Sequence, residues 1–300
     1  MPAGSTSFIF RCLFFFLCCV TSLVTHAQQN TRVQESLEMS SRILTHPVKY
    51  SIYLPPDYYT SNKHYPVVYL LHGYSDNETA WLQFGETDRQ ADKAIADGTI
   101  PPMIIVMPDA GITWYMNDYQ GKEKYEDMFI REFIPYIDAQ YRTRPIKEFR
   151  AVSGLSMGGH GALLLAMHNP SLFSGCAAFS SGIVSDETIA AMPDDQYNNV
   201  FTTLFGDKPK GKARVTEHWH KNNTLSLART LPADSLKKVR WYFDCGDQDF
   251  LYEGNALMHI ALRNRNIPHE FRMRAGAHEW IYWRTGLVPA LQFLGKSFNR

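Results

Sequence analysis

The chain has 300 residues, 45 % of them hydrophobic and 20 % charged, and its 30 Lys and Arg balance its 30 Asp and Glu. This is ordinary globular composition, which excludes a predominantly disordered chain and a coiled coil. A formal charge of zero leaves no electrostatic footprint for nucleic acid. Aromatic residues reach 13 %, enough for a large core and an aromatic-lined cleft.

The first segment reads as a targeting signal. Arg11 precedes an apolar run from Cys12 to Val20, and Thr25-His26-Ala27 puts small residues at the two positions a signal peptidase reads. A positive flank, a short apolar stretch and a small-residue exit describe a secretory signal peptide over residues 1–27. The run is short for a bilayer span, so an uncleaved anchor is the lesser alternative. The expectation is a secreted or periplasmic protein with no membrane contact after cleavage. Export implies an oxidising compartment. Three of the five cysteines leave with the signal, and Cys176 and Cys245 remain, both in apolar, strand-like surroundings.

Beyond the signal, strand and helix patterns alternate. Val48–Leu54 alternates with period two and stops at Pro55-Pro56, which predicts an outer strand. Pro66–Leu71 and Met103–Met107 are continuous apolar runs, the mark of strands buried on both faces. Phe129, Ile130, Phe133, Ile134 and Ile137 share a helical face, with Pro135 expected to kink that helix or start a new turn. Arg150–Ser153 predicts a strand leading into a glycine-rich turn, and Ala162–Met167 a helix after it. Cys176–Phe179 and Val239–Phe243 read as further strands. Leu257, Ile260 and Ala261 mark a helix, Glu270–Arg274 a late strand, and Leu291–Leu294 the C-terminal helix. Such alternation implies a mostly parallel sheet with helices on both faces. Residues 183–236 are polar and less regular, and read as an insertion roofing the sheet within a single domain over 28–300.

The chemistry begins at Gly154-Leu155-Ser156-Met157-Gly158, a G-x-S-x-G pattern between a predicted strand and a predicted helix. A serine hydroxyl needs a base, and the base needs a third group to orient it. In this arrangement the acid and the histidine follow the serine along the chain. The strand at Val239–Phe243 runs into Asp244-Cys245-Gly246-Asp247-Gln248-Asp249, and the next into Ala275-Gly276-Ala277-His278. Both groups therefore leave the C-terminal ends of strands, where open parallel sheets carry their sites. Asp249 is favoured as the acid because it lies far enough out to reach an imidazole. Asp247 is its main rival, and Asp244 belongs to the strand end. His278 is the natural base. His160 lies on the helix after Ser156 and is expected to pack locally, and His218 and His220 form too sparse a set to hold a metal. Two backbone N–H groups are expected to receive the developing oxyanion: Met157, directly after the nucleophile, and Tyr74, after the strand ending at His72-Gly73. No metal and no cofactor are expected.

Together, Leu70-Leu71-His72-Gly73, Trp114-Tyr115, Gly154–Gly161, Gly246-Asp247-Gln248-Asp249-Phe250-Leu251 and His278-Glu279-Trp280 resemble the esterase-D-like α/β-hydrolases. That group includes feruloyl and acetylxylan esterases, S-formylglutathione hydrolases, siderophore esterases and bacterial mycolyltransferases. The resemblance covers about residues 45–295. It implies an α/β-hydrolase fold with a sheet of eight or more strands, a Ser156-His278-Asp249 triad, and Tyr74 and Met157 as oxyanion donors. On that architecture Cys176 begins one strand and Cys245 ends its parallel neighbour. An offset of about four residues separates them by roughly 13 Å, too far for a disulfide. Two free, buried thiols are predicted.

Substrate choice is less legible. Trp114 and Tyr115 follow a strand end and are candidates for an aromatic wall around a sugar or phenolic acyl group, and Trp280 beside His278 is a third. The leading expectation is a serine carboxylesterase acting on acylated polysaccharide or oligosaccharide, of feruloyl or acetylxylan type, or on small short-chain esters. An acyltransferase, a siderophore or S-formylglutathione hydrolase, and a non-catalytic carbohydrate-binding protein are the alternatives.

Overall fold

A computed structural model describes residues 31–206 and 210–298, so the signal expected over 1–27 lies outside the described residues. Eight strands form one sheet: β1 (Val33–Ser40), β2 (Pro47–Tyr53), β3 (Val67–Leu71), β4 (Ile104–Pro108), β5 (Arg150–Leu155), β6 (Gly175–Phe179), β7 (Arg240–Gly246) and β8 (His269–Arg274). Their spatial order is β1-β2-β4-β3-β5-β6-β7-β8. The pairs β1/β2 and β2/β4 are antiparallel, and all pairs from β4/β3 to β7/β8 are parallel.

The continuous apolar runs are buried along their whole length because both sheet faces are covered. Val67, Tyr69 and Leu71 face a core completed by the helix Met157–His168 and the segment 125–140. Val68 and Leu70 point the other way, into a core completed by Thr87–Ala96 and Trp280–Gly295. We label the main helices α1 (Thr87–Ala96), α2 (Met157–His168), α3 (Tyr252–Asn264) and α4 (Trp280–Gly295). Pro135 does start a new turn. A π-helical turn at Phe129–Phe133 ends just before it, and the proline falls in the first turn of Ile134–Gln140.

The strand at 47–53, read from sequence as an outer strand, is second from the edge. β1 covers it. A bulge between Gln34 and Leu37, with Ser36 at φ 53°, breaks the two-residue alternation that would have revealed β1. The cysteine register is as expected: Cys176 pairs with Trp241, so Cys245 lies four residues further along β7. Both thiols are buried and free.

The described residues of 183–236 form a run of short helices between β6 and β7, more regular than their polar sequence suggests. The polar residues that masked them are their caps. Ser185, Thr216 and Asn223 accept hydrogen bonds from the N–H groups of Thr188, Trp219 and Ser226. Buried Arg214 holds the insertion together, bonding to Asp194 and to the Ile189 and Met192 carbonyls. Among the described residues, no helix is long and apolar enough to cross a membrane.

Candidate active site

Ser156 sits between the end of β5 and the start of α2 with φ 54° and ψ −116°, a conformation that costs a residue with a side chain on the order of 1–3 kcal/mol. The flanking glycines make the turn feasible. A Cβ on Gly154 would lie 2.3 Å from the Gly158 carbonyl oxygen. One on Gly158 would lie 2.5 Å from the carbonyl oxygens of both Leu71 and His72. The G-x-S-x-G pattern is thus a packing requirement: the turn presses directly on the end of β3.

The three groups expected to converge do so. His278 Nε2 lies 3.0 Å from Ser156 Oγ. Its Nδ1 lies 2.9 and 3.1 Å from the two carboxylate oxygens of Asp249. The carboxylate fixes Nδ1 as the protonated nitrogen and leaves Nε2 free to accept the serine proton. Asp249 is almost fully buried. Burial alone would raise its pKa, but hydrogen bonds from His278, Ser180 and the Leu251 N–H outweigh it and hold the carboxyl below the usual carboxylate range. Asp247 is exposed and accepts a bond from the Gly276 N–H, which staples the loop after β7 to the loop after β8. Asp244 is consumed by Arg274, Tyr242 and Tyr282.

Tyr74 and Met157, the expected oxyanion donors, both border Ser156. Met157 is the first residue of α2, so its N–H has no partner within the helix and sits at the positive end of the helix dipole. Tyr74 shares a cavity wall with Ser156. The preceding peptide is held in place. Ala110 N–H donates to His72 Nε2, which leaves His72 Nδ1 to donate to the Gly73 carbonyl at 2.8 Å. In a trans peptide the N–H points opposite to the carbonyl, so fixing the Gly73 carbonyl also aims the Tyr74 N–H.

A cavity of about 410 Å³ opens at Ser156, with Tyr74, Trp114, Ile183, Val184, Phe201 and Leu257 among its walls. Trp114 therefore lines the site, as expected. Tyr115 does not, and that expectation is corrected. Tyr115 is fully buried, donates to the His72 carbonyl, and packs so close to α2 that a Cβ on Gly161 would lie 2.4 Å from its ring. Trp114 and Tyr115 both have positive φ, 54° and 60°, and this paired left-handed step sends adjacent side chains to different places. Trp280 is also absent from the cavity wall. It packs against Trp81, Phe84 and Trp283 instead. His160 packs locally, edge-on to Trp114. His218 and His220 bond separately to the Leu204 carbonyl and to Ser226.

The family model described by the name Esterase matches residues 41–294. The chain belongs to this esterase family. It is 38 % identical to an endo-1,4-beta-xylanase/feruloyl esterase of Xylanibacter ruminicola over 150 residues, which is 46 % of this chain and 20 % of that much longer protein. It is 26 % identical to an acetyl esterase of Caldicellulosiruptor saccharolyticus, covering 76 % of this chain and 83 % of that one. Among solved structures, a ferulic acid esterase superposes with a TM-score of 0.76 at 31 % identity, covering 90 % of this chain and all of the other. The protein is a carboxylic ester hydrolase with an α/β-hydrolase fold.

The structure also brings to Asp249 and His278 side chains to which the sequence reading gave no part in the site. Ser180 follows β6 with φ 42°, accepts a bond from Trp283 Nε1 and bonds to Asp249. Trp283 also packs edge-on against the His278 ring, and Phe250 covers it from another side. Asn255 on α3 clamps the Ser181 backbone through both its N–H and its carbonyl. The signal available for Ser180 was its place at the end of a strand beside β5.

Proposed function

We propose that the protein is an exported serine esterase that removes short or aromatic acyl groups from decorated carbohydrate. Ser156 is the nucleophile, His278 the general base and acid, and Asp249 the carboxylate that holds the imidazole. Ser156 Oγ attacks the ester carbonyl carbon while His278 Nε2 takes its proton. The carbonyl π electrons become an oxyanion facing the Tyr74 and Met157 N–H groups. Collapse breaks the carbon–oxygen bond, and His278 protonates the departing alcohol. Water, deprotonated by the same nitrogen, then attacks the acyl-serine, and collapse releases the acid and restores the serine.

The observation that carries this reading is the continuous chain of contacts from Asp249 through His278 to Ser156. The apolar cavity supports an organic acyl group, since its volume lies in the range of small-molecule sites. The feruloyl and acetyl esterase relatives support acylated plant polysaccharide as the substrate class. The test is a rate panel of methyl ferulate, acetylated xylan, tributyrin and a catecholate ester. Methyl ferulate or acetylated xylan is expected to give the highest kcat/KM. Preference for tributyrin or the catecholate ester would overturn the carbohydrate assignment, and undiminished turnover by Ser156→Ala would overturn the mechanism.

A further inference from the structure

The cavity at Ser156 has a back wall with a second void behind it. Trp114, Gly182, Val184 and Phe201 line the main cavity of about 410 Å³. The same four residues line a void of about 10 Å³, closed on its far side by His160, Phe205 and Trp219. The main cavity is lined by Ser156 but not by His278. A departing alcohol must lie within reach of His278 Nε2 to be protonated, so the space beyond Ser156 receives the acyl half of the ester.

We propose that Trp114 and Phe201 form the depth-setting wall of the acyl pocket, and that the void at His160, about one water in volume, is the start of an extension that truncating Phe201 would open. This rests on the serine-esterase reading above. Trp114 is the fixed half of the wall. A bulky residue at φ 54° is unusual, and its ring fills the space that a Cβ on Gly182 would enter, only 2.7 Å away. His160 meets that ring edge-on at 5.3 Å from behind, and Phe201 lies 5.2 Å from it. Phe201 is the adjustable half, because it joins the short helices Asp194–Val200 and Thr202–Phe205 of the insertion rather than a strand end.

The space behind the wall is mainly apolar, with a few polar atoms at its edge. Trp114 Nε1 and both ring nitrogens of His160 are buried without a hydrogen-bond partner. The His160 nitrogens approach the Gly182 and Asn222 carbonyls without reaching bonding geometry. Burial holds this histidine neutral, with its pKa pushed down to about 4.

The test is kcat/KM for p-nitrophenyl acetate, butyrate and octanoate with wild type, Phe201→Leu and Phe201→Ala. The octanoate-to-acetate ratio is expected to rise about tenfold or more in Phe201→Ala, with Phe201→Leu between. Adding His160→Phe to Phe201→Ala fills the extension from behind and is expected to reverse that gain. Because both substrates meet the same preparation, partial unfolding cancels from the ratio. A ratio within twofold of wild type in both Phe201 variants, or a gain that survives His160→Phe, would overturn the wall. Absence of Ser156-dependent hydrolysis of any of these esters in wild type would instead overturn the underlying esterase reading.

Discussion

The strand ends that carry Ser156, Asp249 and His278 and the helical roof between β6 and β7 are held in different ways. At the strand ends, backbone presses on backbone. Gly154 touches Gly158, Gly158 touches the end of β3, and a Cβ on Gly246 would lie 2.2 Å from the Gly276 carbonyl oxygen. In the roof, the described residues form seven short helices, three of them capped by side chains, tied together by the buried Arg214. Backbone contact leaves almost no freedom, whereas side-chain contact tolerates substitution. On the proposed function, the reaction would be anchored where change is least permitted, and the adjustable part of selectivity would lie where change is easiest.

The expected outcomes sharpen or break that contrast. The largest belongs to the nucleophile. Ser156→Ala should lower kcat on p-nitrophenyl acetate by about 10⁴-fold or more with the fold intact by circular dichroism. Asp249→Asn should follow, with a loss of up to ~10⁴-fold through the wrong imidazole tautomer, while Asp247→Asn should cost far less. The reverse ranking would move the acid to the stapling loop. Ser180→Ala removes one of three bonds that keep the Asp249 carboxylate ionised. It should lower kcat about tenfold and move the acidic limb of the pH–rate profile upward, and a purely structural role would leave that limb in place.

A smaller expected effect is on stability. The folded pKa of His160 lies near 4, below its ordinary 6.5. The unfolded chain therefore takes up this proton first as pH falls. Stability should be full above about pH 6.5, be lost progressively toward pH 4, and change no further below that. The loss is on the order of 3 kcal/mol. His160→Gln should flatten the dependence of melting temperature on pH over that window. Smallest of all, Thr188→Ala in the roof should leave kcat on p-nitrophenyl acetate within about threefold of wild type and change only the ranking among larger esters. A collapse of kcat on the smallest ester would erase the distinction between the two regions.

Legibility in the sequence follows the same division. The turn at Ser156 and the loops to Asp249 and His278 were readable because each is a local pattern pinned to a strand end, and the parallel register then placed Cys176 and Cys245 apart. The roof helices were not readable, since their capping serines, threonines and asparagines look like coil. β1 was hidden by its bulge. Tyr115 was misplaced because two successive left-handed residues reverse the expectation that neighbours share a wall. Ser180 escaped notice because its role depends on Trp283, Asp249 and a strand end meeting in space.

The positive φ at Ser156 has a consequence for durability. Glycine adopts that shape freely, so replacing the serine with glycine should yield a catalytically dead protein that melts at a higher temperature than the living enzyme. Ser156→Ala, which keeps the side-chain clash, should not share the gain. The sturdiest form of this molecule is thus one that has surrendered its purpose.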